Sequence, residues 1–219
     1  MTDRPPDEHD ERSLISADGW YSSAHRYDSP NFDARPSGEA VTLLVIHNIS
    51  LPAGQFGTPH VPDLFTNRID FSAHATFDSL RGVQVSAHFL VRRDGRVVQF
   101  VSADQRAWHA GVSSFEGREN CNAFSVGIEV EGSDFVPFAA AQYVSLVTLA
   151  RALLVRYPIT AIMGHEHIAP GRKTDPGPWF DWPKFTNLLT DSHEKKPVLA
   201  HTHRPVRIVS SLAEVKLPG

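Results

Sequence analysis

Apolar and polar positions along the chain fall into short runs, and their spacing predicts the elements. Residues 41–47, Val-Thr-Leu-Leu-Val-Ile-His, are almost wholly apolar and rich in β-branched side chains, the pattern of a central strand buried on both faces. The run ends in His47. A long loop follows, carrying Pro52, Gly54, Gly57 and Pro59, with a short helix expected near residues 61–67. Residues 86–100 have apolar positions on both sides of Asp94-Gly95, a hairpin turn pair. Residues 124–132 predict a further strand. Over residues 139–157, Tyr143, Val147, Ala150, Leu154 and Tyr157 recur at helical spacing, with Leu146 and Leu153 on the same side, until Pro158 stops the run. A short strand over 159–163 leads into Gly164-His165, the Pro- and Gly-rich residues 169–178 read as a loop, and Pro183 opens a last helix to about residue 190. Strand, hairpin, strand, long helix, strand, helix predicts a mixed α/β fold, a central mixed β-sheet flanked by helices.

Residues 1–18 are polar and expected to be disordered, 19–192 form one domain with an irregular lead-in over 19–40, and 193–219 are a tail broken by Pro197 and Pro205. With 219 residues and 41% hydrophobic content, the chain can bury a sizeable core. Its 21 basic and 25 acidic residues leave a net charge of −4, which points to neither nucleic acid nor anionic membrane as a partner. No apolar run approaches the roughly 20 residues of a bilayer span, and the N-terminus has no signal-peptide core, so a soluble cytoplasmic protein is expected. Cys121 is the single cysteine and cannot form an intramolecular disulfide. No protein partner is implied. The 12 histidines are an unusual number, although His9, His193, His201 and His203 lie near the termini and read as solvated.

Three residues have the chemistry of metal ligands. His47 ends a buried strand, His165 follows the Ile-Met-Gly turn, and Asp175 lies ten residues further on. Two imidazoles and a carboxylate leave one tetrahedral position on Zn²⁺ open for water, as catalytic sites require. A histidine at a strand end is more often a core or surface residue, however, and no His-Glu-x-x-His signature is present, so spacing alone leaves the site open. Glu129 and Glu131 alternate with Ile128 and Val130 and share one strand face. One of them can be a general base in a cleft, yet the pattern alone favours both facing water. Lys173 has the charge to stabilise an oxyanion, or belongs with Arg172 to an ordinary solvated loop. Trp108 beside His109-Ala110-Gly111 suits stacking on a sugar ring, or is a packed tryptophan at a strand end.

Read together, several stretches resemble a known family. They are Val45-Ile-His-Asn48-Ile-Ser-Leu-Pro52, Ser86-Ala-His-Phe89, Arg92-Arg-Asp-Gly95, Arg106-Ala-Trp-His109-Ala-Gly-Val-Ser113, Ser125-Val-Gly-Ile-Glu129, Gly164-His165, and Ile168-Ala-Pro-Gly-Arg-Lys173-Thr-Asp175-Pro-Gly-Pro178. In this order they are similar to the N-acetylmuramoyl-L-alanine amidases of the amidase-2 type, related to peptidoglycan-recognition proteins, over about residues 19–185. Within that family the resemblance points to the cytoplasmic branch acting on anhydromuropeptides. It implies zinc on His47, His165 and Asp175, Glu129 as acid and base, and Lys173 as oxyanion partner. It implies an anhydromuropeptide substrate cut between the lactyl group and L-alanine, in peptidoglycan recycling and so in setting the muropeptides that induce β-lactamase. Asn48, Trp108 and His109 are expected to line the groove. Gln84 and Asn120 stand where the family pattern has arginines for a stem-peptide carboxylate, and Arg81 or Arg118 are the candidate replacements. His167 stands where an Asp is common, as a loop residue or an alternative ligand.

Overall fold

A computed structural model describes residues 14–191, 205–211 and 214. In chain order the strands are β1 (His25–Arg26), β2 (Phe32–Asp33), β3 (Leu43–Ile49), β4 (Phe89–Val91), β5 (Val97–Gln99), β6 (Arg106–Ala107), β7 (Ser114–Phe115), β8 (Arg118–Glu119), β9 (Ser125–Glu131), β10 (Ala161–Gly164) and β11 (Arg207–Val209). The helices are α1 (His60–Phe65), α2 (Ala140–Arg156), α3 (His165–Ile168) and α4 (Trp182–Thr190), with 3-10 turns at Ala75–Leu80 and Cys121–Ala123.

One seven-stranded sheet runs in the order β1-β5-β4-β9-β3-β10-β11. Its pairs are parallel except the β4–β5 hairpin. This is the expected mixed sheet flanked by helices. β3 and β9 lie at its centre and read as strands for different reasons. β3 is apolar throughout until His47, whereas β9 alternates Ser125, Gly127, Glu129 and Glu131 with Val126, Ile128 and Val130, and every one of its residues is buried.

Alternation along the strands divides the core. Leu44, Ile46, Val126, Ile128, Val130 and Ile162 pack on one face against α2 and α4 through Tyr143, Leu146, Ala150, Leu153 and Phe185. The opposite face carries two smaller clusters. Leu43, Val45, Ala161 and Met163 pack with Ala110, Phe124 and Ile168. Leu90 and Val98 pack with Val61, Phe65, Phe77 and Phe100. Between these clusters, β3 and β9 present polar side chains. The amide of Gln142 ties the start of α2 to the sheet, accepting from the Ala139 N–H and donating to the Val91 and Glu131 carbonyls.

Both ends of the expected domain need correction. Ile15 bridges Tyr21 and belongs to the main core, so the stretch expected to be disordered contains ordered residues. The expected tail supplies β11, which pairs with β10 and buries Val209. Two apolar residues after Arg207, in a polar stretch, are too few to be read as a strand by period. His9, His193, His201 and His203 lie outside the described residues.

Candidate active site

The sheet register assembles the site. Across the parallel β3–β9 pair, His47 lies opposite Glu129, and across β10–β3, Gly164 lies opposite Ile46. Paired residues in a sheet share a face, and the strands lie about 4.8 Å apart. His165, the first residue after β10, therefore arrives beside His47, with Glu129 on its other side. Asp175 comes in from the loop after α3, where its carbonyl accepts from the Glu166 N–H.

Three donor atoms converge. His47 Nδ1 and His165 Nδ1 are 3.0 Å apart, and Asp175 Oδ2 is 2.9 Å from the first and 3.0 Å from the second. The outer nitrogen of each ring is already engaged. His165 Nε2 lies 2.9 Å from the Ala110 carbonyl, which can only accept, so that nitrogen donates and Nδ1 is the ring atom left for a ligand. His47 Nε2 lies 2.9 Å from His109 Nδ1. Both rings are buried. Burial holds the His47 imidazole down to about 4 against the opposing influence of the Asp175 carboxylate that it faces, so it is neutral near pH 7. Burial acts to raise the Asp175 carboxyl, but the His165 and His47 rings that face it outweigh burial and hold it below the usual carboxylate range, where it is ionised. Two imidazoles and one carboxylate, with the outer nitrogen of each ring anchored, are a donor set suited to a small divalent cation.

Glu129 is buried beside this cluster, and its Oε2 has no hydrogen-bond partner. Burial raises its pKa well above the usual carboxylate value, the nearby charge of Asp175 raises it further, and Lys173 opposes both. The expectation that Glu129 and Glu131 both face water is therefore incorrect. Glu131 is also buried, but its oxygens accept from the Gly57 and Arg93 N–H groups, which makes it an anchor for the loop before α1. Lys173 is exposed and acts on Glu129 and His47 through its charge alone.

The residues expected to line the groove divide. The Asn48 amide donates to Asp134 Oδ1 at 2.7 Å and to the Pro176 carbonyl at 3.0 Å, while Asp134 Oδ2 accepts from the Thr174 hydroxyl at 2.6 Å. Asn48 and Asp134 thus hold the chain on both sides of Asp175. A side chain at Gly177 would place Cβ only 2.5 Å from Asp134, so glycine is needed there. His109 stands behind His47, and the Trp108 side chain bonds Asp33, which Arg106 grips at 2.5 Å through each carboxylate oxygen. Asn120, in a left-handed conformation, lines an open groove with Gly111, Ser113, Ala169 and Arg172 beside His165. Gln84 is exposed on the loop before β4. Of the candidate replacements, Arg81 pairs with Asp78 and Arg118 with Glu39. His167 is buried, accepts from the Gly164 N–H through Nδ1 and packs by Trp182, outside the donor cluster.

Sequence reasoning missed Asn122, Ser125, Asp134 and Arg172. Asn122 Oδ1 accepts from the His109 and Ala110 N–H groups, and Arg172 donates to the Ala110 and Val112 carbonyls. The available signal was the pair of small residues Ser125 and Gly127 on the face of β9 that carries Glu129, which leaves room for a ring.

Comparison with known proteins agrees with this geometry. Residues 37–178 match the family model described as N-acetylmuramoyl-L-alanine amidase. The 1,6-anhydro-N-acetylmuramyl-L-alanine amidase AmpD of Citrobacter freundii is 53% identical over 185 residues, covering 84% of this chain and 99% of that protein. The crystal structure of a selenomethionine AmpD derivative superposes with a TM-score of 0.77 at 54% identity, over 79% of this chain and 98% of that one. A more distant structure, the amidase AmiD of Escherichia coli in complex with the substrate anhydro-N-acetylmuramic acid-L-Ala-D-γ-Glu-L-Lys, has a TM-score of 0.51 at 30% identity, covering 70% of this chain and 60% of that one. Sequence, fold and site agree, and the chain belongs to the N-acetylmuramoyl-L-alanine amidase family.

Proposed function

We propose that this amidase hydrolyses the amide between the lactyl group of 1,6-anhydro-N-acetylmuramic acid and L-alanine in muropeptides, using zinc held by His47, His165 and Asp175, in cytoplasmic peptidoglycan recycling. The observation that carries the reading is the convergence of two imidazole Nδ1 atoms and a carboxylate oxygen beside the unpartnered Glu129 Oε2. Zinc is the favoured ion because a His₂-carboxylate set is a pattern of catalytic zinc, which leaves a position for water and substrate. The anhydro sugar is favoured by the AmpD relative, matched over almost its whole length, and by the substrate in the AmiD complex.

When bound, the ion supplies Lewis acidity, polarising the amide carbonyl and lowering the pKa of water to about 7. Glu129 takes the proton of the attacking water at its free oxygen and returns it to the departing L-alanine nitrogen. Burial makes that carboxylate a stronger base than one in water, which suits both transfers. Lys173, exposed at the mouth, places its charge against the oxyanion as it develops. Asn120 and the groove beside His165 receive the stem peptide, and with Asn120 and Gln84 neutral, the stem carboxylate is held without a bidentate arginine contact.

The test is a mass-spectrometric assay of the zinc-loaded protein on soluble anhydromuramoyl-tripeptide and on the same stem carried by non-anhydro N-acetylmuramic acid, with a chelated control. Release of peptide from the anhydro sugar alone, lost on chelation, is expected. Equal cleavage of both sugars would replace the recycling role with that of a general wall hydrolase, and cleavage that survives chelation would remove the metal.

A further inference from the structure

We infer that His109 is a positioning residue for the metal site, locking the His47 ring with Nδ1 forward, and that the His109-Ala110 segment is a single cradle for both ligand histidines. The inference rests on the metal reading proposed above and replaces the expectation that His109 lines the substrate groove. The side chain of His109 faces the outer nitrogen of His47 at 2.9 Å, and the next carbonyl, that of Ala110, faces the outer nitrogen of His165 at the same distance.

The cradle is braced from behind at each point. His109 Nε2 lies 3.1 Å from Ser125 Oγ on β9. With a proton on Nε2 donated to that hydroxyl, His109 Nδ1 is an acceptor, and the hydrogen in the His47–His109 contact belongs to His47 Nε2. His47 Nδ1 then keeps its lone pair for a ligand. The His109 ring lies on the bare backbone of Gly127, where a Cβ would stand 2.5 Å from its Cγ and Nδ1. The two rings meet edge-on with centroids 5.0 Å apart. Asn122 Oδ1 accepts from both backbone amides of the segment, at 3.1 and 2.8 Å. Arg35, in turn, donates to the carbonyls of Asn122 and Ser125, tying the lead-in to the cradle's two supports. His88, whose ring centroid lies 5.6 Å from that of His109, is occupied elsewhere, with Nδ1 accepting from the Gly127 N–H and Nε2 facing the Gln105 carbonyl.

Outer partners of metal-bound histidines set ring orientation and basicity, and losing one typically weakens metal binding by about 10–100-fold. The experiment measures zinc affinity of the full-length chain by competition with a chromophoric chelator, and records the visible spectrum of the cobalt(II) form. Wild type is expected to bind one zinc, His109→Leu to bind it about 10–100-fold more weakly with an altered cobalt spectrum, and His109→Asn to recover part of the loss. The asparagine Oδ1 stands where the imidazole Nδ1 stood, so a residue that only fills space would not be rescued this way. Ser125→Ala, which leaves the ring in place but removes its brace, is expected to weaken zinc in the same direction and serves if His109→Leu does not fold. Wild-type affinity and spectrum in His109→Leu, or in Ser125→Ala if that is the variant that folds, would overturn the inference alone. A wild type that takes up no zinc would overturn the metal site itself, and the inference with it.

Discussion

At the scale of single residues, the site depends on which groups are committed and which are left free. Glu129 and Glu131 sit two positions apart on one strand face, both buried, yet only Glu129 keeps an oxygen without a partner. That difference predicts that Glu129→Gln retains stoichiometric zinc while turnover falls by about 10²–10⁴, the usual contribution of a general base. Asp175→Ala should lose zinc and activity together, and a Glu129→Gln protein with wild-type turnover would remove Glu129 from the chemistry. Asp134 works at one remove, spanning Thr174 and Asn48 around the loop that carries Asp175. Asp134→Ala is expected to cost about 1 kcal/mol in urea unfolding and to weaken zinc binding; unchanged values for both would make the clamp incidental.

At the scale of elements, β9 does two jobs through its alternation. Its apolar residues meet α2, and its small and polar ones floor the site. Gly127 is the point where these demands meet, because the His109 ring occupies the space of its missing side chain. Gly127→Ala forces the ring off its seat and should destabilise the fold by about 1–3 kcal/mol, as overpacking does. Zinc affinity should fall with it. Chemical denaturation and zinc titration of the same variant decide this, and wild-type values for both would mean that the ring has another place to sit. The strands themselves were legible, since β-branched runs and a helical period over 139–157 give β3, β4, β5, β9 and α2 within a few residues. The short pairs β1, β2, β6, β7 and β8 were not, because two residues carry no period.

At the scale of the whole molecule, the edge of the sheet is finished by residues distant in sequence. β11 covers β10, the strand that delivers His165, and Arg207 pairs with Glu116 across the surface. An uncovered edge exposes unpaired backbone groups. A chain lacking residues 205–219 is expected to lose about 1.5–3 kcal/mol, on the scale of burying Val209 alone, and to aggregate more readily. An unchanged urea midpoint would show that β11 contributes nothing to stability. Among the described residues, no helix is long and apolar enough to cross a membrane.

The sequence by itself determined the mixed α/β class, the central strands, the long helix and, through the family resemblance, the residue types of the donor set. These are local or nearly local properties: burial on both faces demands an apolar run, and a helix against a sheet demands period 3.6. It did not determine that Glu129 is buried, that the Asn48 amide is committed to Asp134 and Pro176, that His109 lies against His47, or that residues 207–209 pair with β10. Those facts depend on which side chains meet across separations such as the 118 residues between His47 and His165. Alternation says that two residues share a face, but not whether that face meets water, a ring or a ligand. The parallel register of β10, β3 and β9 made that decision, because it alone sets His165, His47 and Glu129 side by side.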